Sequence, residues 1–465
     1  MNGKNTNPGT ATLPWGTIQK CLDEVNPGDT CTIMGGTYYE ALTLKTSGTE
    51  TSRIILRNYE DQIVTIDSGK NKTLVTNGRV GYYTIEGLRF IASYTSAGQG
   101  DYTIDLKMTL WDGETNKDGG NNGFMIRDCY IEGAIKFYGH NNIVENCELN
   151  GKQNWSNGIN DEYATSHDNL YRGNVIHDYK KRGVWTMQYT ENILIEGNTI
   201  YNSGNMGIDC DGAGNPVRRC MVKSNQIYDI SGEGVGVLLE NAFDSIAEAN
   251  EIYRVKQGIG IINYGPPIIQ EEYRTTDSHT IIRNNVIHNT SQDGIICKGS
   301  PGGKALNNTI YDTRQTPGYW AGIGLTGYEG YYCHNWEIKN NLISQASKYA
   351  IWYDSPTDGL HNLSSDYNLF DFEPNEERFI WIVYSETEED WNPYNLSQIQ
   401  KQKQLEKHSI LGKSMFLNET MGDFHLQENS PAINTGYYVG VTADFDGVQR
   451  PQGSGYDIGA FEFID

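Results

Sequence analysis

Proline is scarce, at 13 of 465 residues, although glycine reaches 52. That combination excludes a disordered Pro/Gly-rich chain. No apolar run approaches the ~18 residues that a membrane-spanning helix needs. Hydrophobic residues make up only 37 %, with a mean hydropathy of −0.57, which is low for a thick globular core. Both values suit a thin core beneath a large surface. Basic residues are few: 36 Lys and Arg against 59 Asp and Glu leave a formal charge of −23. This balance argues against nucleic acid or an anionic membrane surface as partner. A polyanionic substrate is also repelled unless a cation or a local basic patch intervenes. The eight cysteines are Cys21, Cys31, Cys129, Cys147, Cys210, Cys220, Cys297 and Cys333. None form a Cys-x-x-Cys pair, so neither a zinc site nor a redox motif is indicated. They read as buried small residues, with one or two disulfides among them. What the chain has in plenty is tyrosine, 31 residues, with 9 tryptophans. That supply suits stacking on sugars and strand formation alike.

A repeat decides the architecture. GNVIHD, GNTIYN, SNQIYD, ANEIYR, NNVIHN, NNTIYD and NNLISQ recur, with asparagines at 174, 198, 225, 250, 285, 308 and 341. The intervals are 24, 27, 25, 35, 23 and 33 residues. Two positions on stand Ile176, Ile200, Ile227, Ile252, Ile287, Ile310 and Ile343. Each unit then has a second apolar run after a glycine. Repeats this short, β-rich and without a helical period are the coils of a right-handed parallel β-helix, an all-β solenoid whose like residues stack ~4.8 Å apart. Leucine-rich repeats lack their pattern here, and a propeller blade requires about 40–45 residues. Ten or more coils are expected from about residue 30 to 370. Residues 1–370 then form the β-helix with an N-terminal helical cap. Residues 371–465 form a C-terminal capping region of the same domain, with a surface helix over 395–410.

Aligning the second runs on their glycines (Gly158, Gly183, Gly207, Gly236, Gly260, Gly294, with Ala350 in the same role) exposes a face. The next position is always apolar and points inward, so the second and fourth positions point outward. The outward face then gathers Asp209, Asp211 and Glu240, flanked by Glu162, Trp185, Tyr264 and Lys298. Asp211 and Glu240 occupy one rung position on successive coils. One additional residue between Ser231 and Gly236 is expected to bulge the strand near Glu240. Like charges this close favour retention of a proton on one carboxyl, and an acid beside a carboxylate is what glycoside hydrolysis uses. A solvated acidic face is the competing reading. Lys180, Lys181 and Arg182 form a basic turn where a substrate carboxylate could dock. Lys298 reads as an ion-pair partner of the acids or as a lysine base. His177 and His288 belong to a structural Tyr/His ladder. His167 lies in a freer loop and is a candidate groove residue. Trp185, Trp320 and Trp352 are candidate sugar platforms.

Two end segments carry a resemblance. GTIQKCLDEVNPGDTCTIMGGTYYEALTL (16–44) and SPAINTGYYVGVTADFDGVQRPQGSGYDIGAFEF (430–463) resemble the opening and closing segments of secreted, pectate-lyase-like β-helix carbohydrate enzymes. GIDCD and GVLLE resemble the layout of glycoside hydrolase family 120 β-xylosidases, which implies Asp211 as nucleophile and Glu240 as general acid/base. SGNMGIDCD (203–211) is the stretch nearest to the calcium segment of family 9 polysaccharide lyases, but it lacks the paired acids. The resemblance implies a secreted or cell-surface protein acting on a polysaccharide or oligosaccharide. The opening MNGKNTNPGT has no signal-peptide pattern, so a leader would precede this stretch. Three functions follow: a glycoside hydrolase needing no cofactor, with catalytic residues Asp211, Glu240 and Asp209; a lyase or C5-epimerase on a uronic-acid glycan, with Ca²⁺ held by those acids and a Lys or Arg base; and a non-catalytic glycan-binding β-helix. No resident metal ligand is assigned for the hydrolase. Substrate contacts fall to Trp185, Tyr264, Lys298, Glu162, His167 and Arg182. No number of subunits follows from the sequence.

Overall fold

The computed structural model describes residues 3–70, 72–92, 102–106, 120–162, 166–212, 214–263, 276–313, 320–328, 330–346, 348–355, 361–384 and 389–464. The chain forms two compact units, Met1–Gly204 and Asn205–Asp465. In the first, the helix Ile18–Glu24 is capped at its start by the Thr17 side chain, which accepts from the Lys20 N–H. This is the expected helical cap, and a Cys21–Cys31 disulfide ties it to the strand Thr30–Ile33. Strands then follow in threes, each pairing in parallel with the strand three places later. Thr30–Ile33 pairs with Ile54–Asn58, Gly36–Tyr38 with Val64–Asp67, and Leu42–Leu44 with Leu74–Thr76. The second unit repeats the scheme. Met206–Asp211 pairs with Val235–Glu240, Met221–Lys223 with Ile246–Glu248, and Gln226–Tyr228 with Glu251–Tyr253. Three parallel sheets wound in this order are the expected β-helix.

Three ladders explain why this sequence winds. Inward isoleucines meet in register, Ile227 on Ile252, Ile252 on Ile287 and Ile287 on Ile310, all fully buried. Asparagines close the bend before them. Asn250 Oδ1 accepts from the Asn225 N–H and Nδ2 at 3.0 Å each, and Asn250 Nδ2 donates to Asn285 Oδ1 at 3.0 Å. Asn285, Asn308 and Asn341 continue the chain of bonds. These bonds satisfy backbone groups that the bend removes from the sheets. The glycines have a packing reason. A Cβ on Gly207, Gly236, Gly258, Gly294 or Gly322 would lie 2.4–2.6 Å from the Cγ2 of the inward isoleucine of the neighbouring sheet. Only glycine lets that isoleucine seat.

The final coils close differently from the others. Phe379–Tyr384 pairs antiparallel with Glu389–Tyr394. The helix that follows is Leu396–Gln402, with an Asn395/Gln398 capping box, and is shorter than the 395–410 expected from sequence. It stops because Gln404 and Glu406 take left-handed conformations and the Glu406 side chain turns inward to Ser365, Ser409 and Asn368. Ile410–Leu411 then rejoins the solenoid beside Leu369–Phe370. The hairpin of Phe416–Asn418 and Asp423–Leu426 packs Phe416, Phe424 and Leu426 onto the outward Val286, Leu342 and Leu369. Beyond it, the tail is held by a fully buried Arg450–Glu462 ion pair. Asn284, Asn307 and Asn340 donate to tail carbonyls of Ala443, Asp457 and Tyr437.

Candidate active site

In the second unit, the strand Met206–Asp211 carries both acids of the central motif. Ile208 faces Val237, Asp209 faces Leu238, Cys210 faces Leu239 and Asp211 faces Glu240. The shared rung expected for Asp211 and Glu240 is therefore present. The additional residue between Ser231 and Gly236 does not bulge the strand. The turn absorbs it, with Gly232 and Gly234 at φ of 61° and 69°. Two features fix this pair. Gly212 donates its N–H to the Glu240 carbonyl at 2.7 Å, and a Cβ at Gly212 would sit 2.6 Å from Asn241 O and 2.7 Å from Glu240 O. Cys210, between the two aspartates, forms a disulfide with Cys220.

One alignment step needs correction. The glycine of the next coil is Gly258, not Gly260, since Val237 faces Ile259 and Glu240 faces Ile262. In QGIGIIN the two glycines are two apart, so in/out alternation is the same for either choice. The Ile287 methyl against Gly258 decides it. Tyr264 is thus two residues beyond Glu240's rung, and it lies outside the described residues. The outward row at the fourth position reads Asp211, Glu240, Ile262, Lys298, Thr326. The coil of Ala321–Thr326 is one that the glycine alignment passed over.

Burial separates the acids. Asp209 is completely buried and Asp211 nearly so, while Glu240 is half-buried. Beside Asp209 the outer face is apolar: Met206, Val235 and Leu238 cluster with Ile262. Lys298 makes no ion pair among the described residues, contrary to the expected pairing with the acids. A carboxylate that the repeat alignment missed stands at the opposite end of the Lys298 strand, just before Gly294. Asp293 accepts from the Ala321 N–H at 2.9 Å and from Gln257 at 3.3 Å, and burial pushes its pKa up to about 6. The SQDG turn just before the ladder glycine is the signal that would have found it. Among the described residues, no three His, Cys, Asp or Glu side chains gather in metal-holding geometry.

The first unit holds Glu162, Trp185, Arg182 and His167. Glu162 is outward in register but buried, and it pairs with Lys136 Nζ at 2.7 Å and accepts from the Tyr138 hydroxyl at 3.0 Å. That Lys136 ammonium lies 4.8 Å from the ring centroids of both Tyr102 and Tyr138. A carboxylate so enclosed is not an open substrate contact. Trp185 faces Asn160, and the Arg182 guanidinium lies 4.6 Å over its ring. Arg182 thus covers one face of the expected sugar platform. His167 stacks on His140 at 4.5 Å and bonds Asp168 at 2.7 Å. Lys136, Tyr138 and Asp105, which pairs with Lys72 at 2.6 Å, escaped the sequence reading because its alignment began at Gly158. One coil earlier, Ala134 takes the glycine's place and sets Lys136 and Tyr138 outward.

A family model described as the right-handed beta helix region matches residues 116–273 and 270–388. The chain belongs to this right-handed β-helix family. A relative in Bacillus subtilis (strain 168), "Uncharacterized protein YwoF", is 23 % identical over 464 residues, which span 93 % of this chain and 90 % of the relative. Among solved structures, the complex of XylC with xylose has a TM-score of 0.48 at 12 % identity, covering 99 % of this chain and 97 % of that one. Pectate lyase Pel9A gives 0.48 at 14 % identity, covering 99 % and 94 %. The GH136 lacto-N-biosidase of Eubacterium ramulus gives 0.48 at 14 %, covering 73 % and 66 %. These likenesses concern the backbone of the β-helix.

Proposed function

We propose that this β-helix protein is a glycoside hydrolase acting on an extracellular polysaccharide or oligosaccharide, with Asp211 and Glu240 as its reacting pair. The observation that carries this reading is the register of Asp211 on Glu240, one rung apart on adjacent coils. A rung step of ~4.8 Å lies near the ~5–5.5 Å carboxyl separation of retaining enzymes, and well short of the ~6.5–9.5 Å of inverting ones. Glu240, the more accessible, is suited to protonate the departing glycosidic oxygen and then to deprotonate water. Asp211, held by the Gly212–Glu240 bond, is suited to attack the anomeric carbon. Asp209, buried two residues before Asp211 on the same strand, is the third acid of the site. This reading needs no metal. Two disulfides suit a secreted or cell-surface protein, since such bonds persist in oxidising compartments.

Asp211→Asn and Glu240→Gln should each lose at least about a thousandfold in rate on a cleaved glycan, with melting unchanged. Azide should restore turnover of an activated substrate to Glu240→Gln. Near-normal activity in both variants would sink the assignment. A lysine-based elimination has one observation in its favour: Lys298 stands on the same outward row, two rungs beyond Glu240. Product absorbance near 235 nm, lost in Lys298→Ala and on chelation, would replace hydrolysis with that reaction.

A further inference from the structure

Where the C-terminal region of the second unit meets its last coils, three rings stack in a row and a second pair of rings follows along the chain. His408 stacks on Tyr367 with centroids 4.6 Å apart, and Tyr367 stacks on Tyr437 at 4.9 Å. Tyr438 follows Tyr437 in the chain and meets Tyr456 at 5.5 Å. Tyr437 and Tyr438 are 50 % and 56 % exposed. Isolated exposed aromatics are ordinary, but a contiguous group of them marks a binding surface.

The rings are held in place. Asn340 Nδ2 donates to the Tyr437 carbonyl at 2.7 Å, and the Tyr437 N–H donates back to Asn340 Oδ1 at 2.9 Å. The Gly436 N–H donates to the Tyr456 carbonyl at 2.7 Å, so both ring-bearing stretches of the tail are joined beside the solenoid. A rigid aromatic loses little conformational entropy when it is covered, which favours binding.

Charge narrows the occupant. In a protein of net charge −23, two charged groups beside these rings are paired internally. Lys339, 5.8 Å from the Tyr437 centroid, bonds Glu337 at 2.9 Å. His408 Nδ1 bonds Asp366 at 2.7 Å, and the His408 N–H donates to the same carboxylate at 2.6 Å. Among the described residues, these charged groups beside the stacked rings are thus engaged with one another rather than turned to a charged polymer. The patch offers apolar ring surface edged by tyrosine hydroxyls. That is the chemistry of a neutral sugar chain, which has C–H faces and hydroxyl rims. We propose that Tyr437, Tyr438 and the rings around them form a non-catalytic docking surface for a neutral polysaccharide. This inference does not depend on the assignment of Asp211 and Glu240.

The test is co-sedimentation of the full chain with insoluble arabinoxylan, cellulose and chitin, with polygalacturonate gel as the anionic control. The wild type should bind at least one neutral polymer. A Tyr437→Ser/Tyr438→Ser variant should lose at least tenfold in affinity with unchanged melting, while Asp211→Asn binds as the wild type does. Absence of wild-type binding to all three neutral polymers would overturn the proposal. So would undiminished binding by the double variant, or preference for polygalacturonate. Sedimentation velocity covers the other occupant: a dimer of the wild type that the double variant abolishes would make the patch a self-association face.

Discussion

Gly212 shows how one residue without a side chain sets the spacing of two that have them. Its Cα lies against the carbonyls of Glu240 and Asn241, where a methyl group would meet oxygen at 2.7 and 2.6 Å. Backbone cannot yield as a flexible side chain does, so the two strands must part. Gly212→Ala should therefore cost about 1–3 kcal/mol in a urea titration. If the pair is catalytic, kcat/KM should fall at least tenfold as well. A variant with wild-type stability and rate would remove Gly212 from any positioning role. At this scale the sequence was informative about register and poor on environment. Alternation put Asp211 above Glu240 and set Glu162 and Trp185 outward. It could not show that Lys136 and Tyr138 enclose Glu162, or that Arg182 covers Trp185, since those contacts join side chains of different strands or depend on rotamers.

The bend asparagine is the element that repeats most strictly, and its bonds give it a measurable role. Asn250 receives the Asn225 N–H and amide, and donates to Val222 O at 2.9 Å and to Asn285. Truncation leaves a buried N–H and a buried carbonyl without their partners, each costing about 1–3 kcal/mol. Asn250→Ala should lower unfolding free energy by about 3 kcal/mol in urea. Gln226→Ala, on the exposed face of the preceding coil, should stay within about 0.5 kcal/mol. Equal effects would mean that the ladder does not support the bend. These ladders were legible because each repeats with a fixed offset from the last. The Gly258 register was not, since a two-residue slip preserves alternation. The C-terminal hairpin was also illegible. Phe416 and Phe424 find Val286 and Leu342 more than 70 residues back along the chain, with no local period to announce them.

Across the whole molecule, charge and one buried acid make stability depend on pH in the same direction, and a single substitution separates them. Glu406 is fully buried at the last coil, accepting from Ser365, Ser409 and Asn368. Burial outweighs these bonds, and its pKa rises from 4.5 to about 7. Between those values the unfolded chain has released this proton and the folded chain has kept it. The folded state then binds more protons, so stability falls as pH rises from about 4.5 to about 7, and levels off above. The expected loss is of the order of 2–4 kcal/mol. Repulsion within a chain of net charge −23 adds to it, because protonating any of the 59 acids relieves that repulsion. Glu406→Gln keeps the shape and cannot ionise, while the surface charge stays nearly the same. The difference in Tm between variant and wild type should then be small near pH 4.5 and grow in favour of the variant up to about pH 7. A difference that stays constant between pH 4.5 and 8 would show that Glu406 is already ionised in the fold, and would leave surface repulsion as the sole source of the pH dependence.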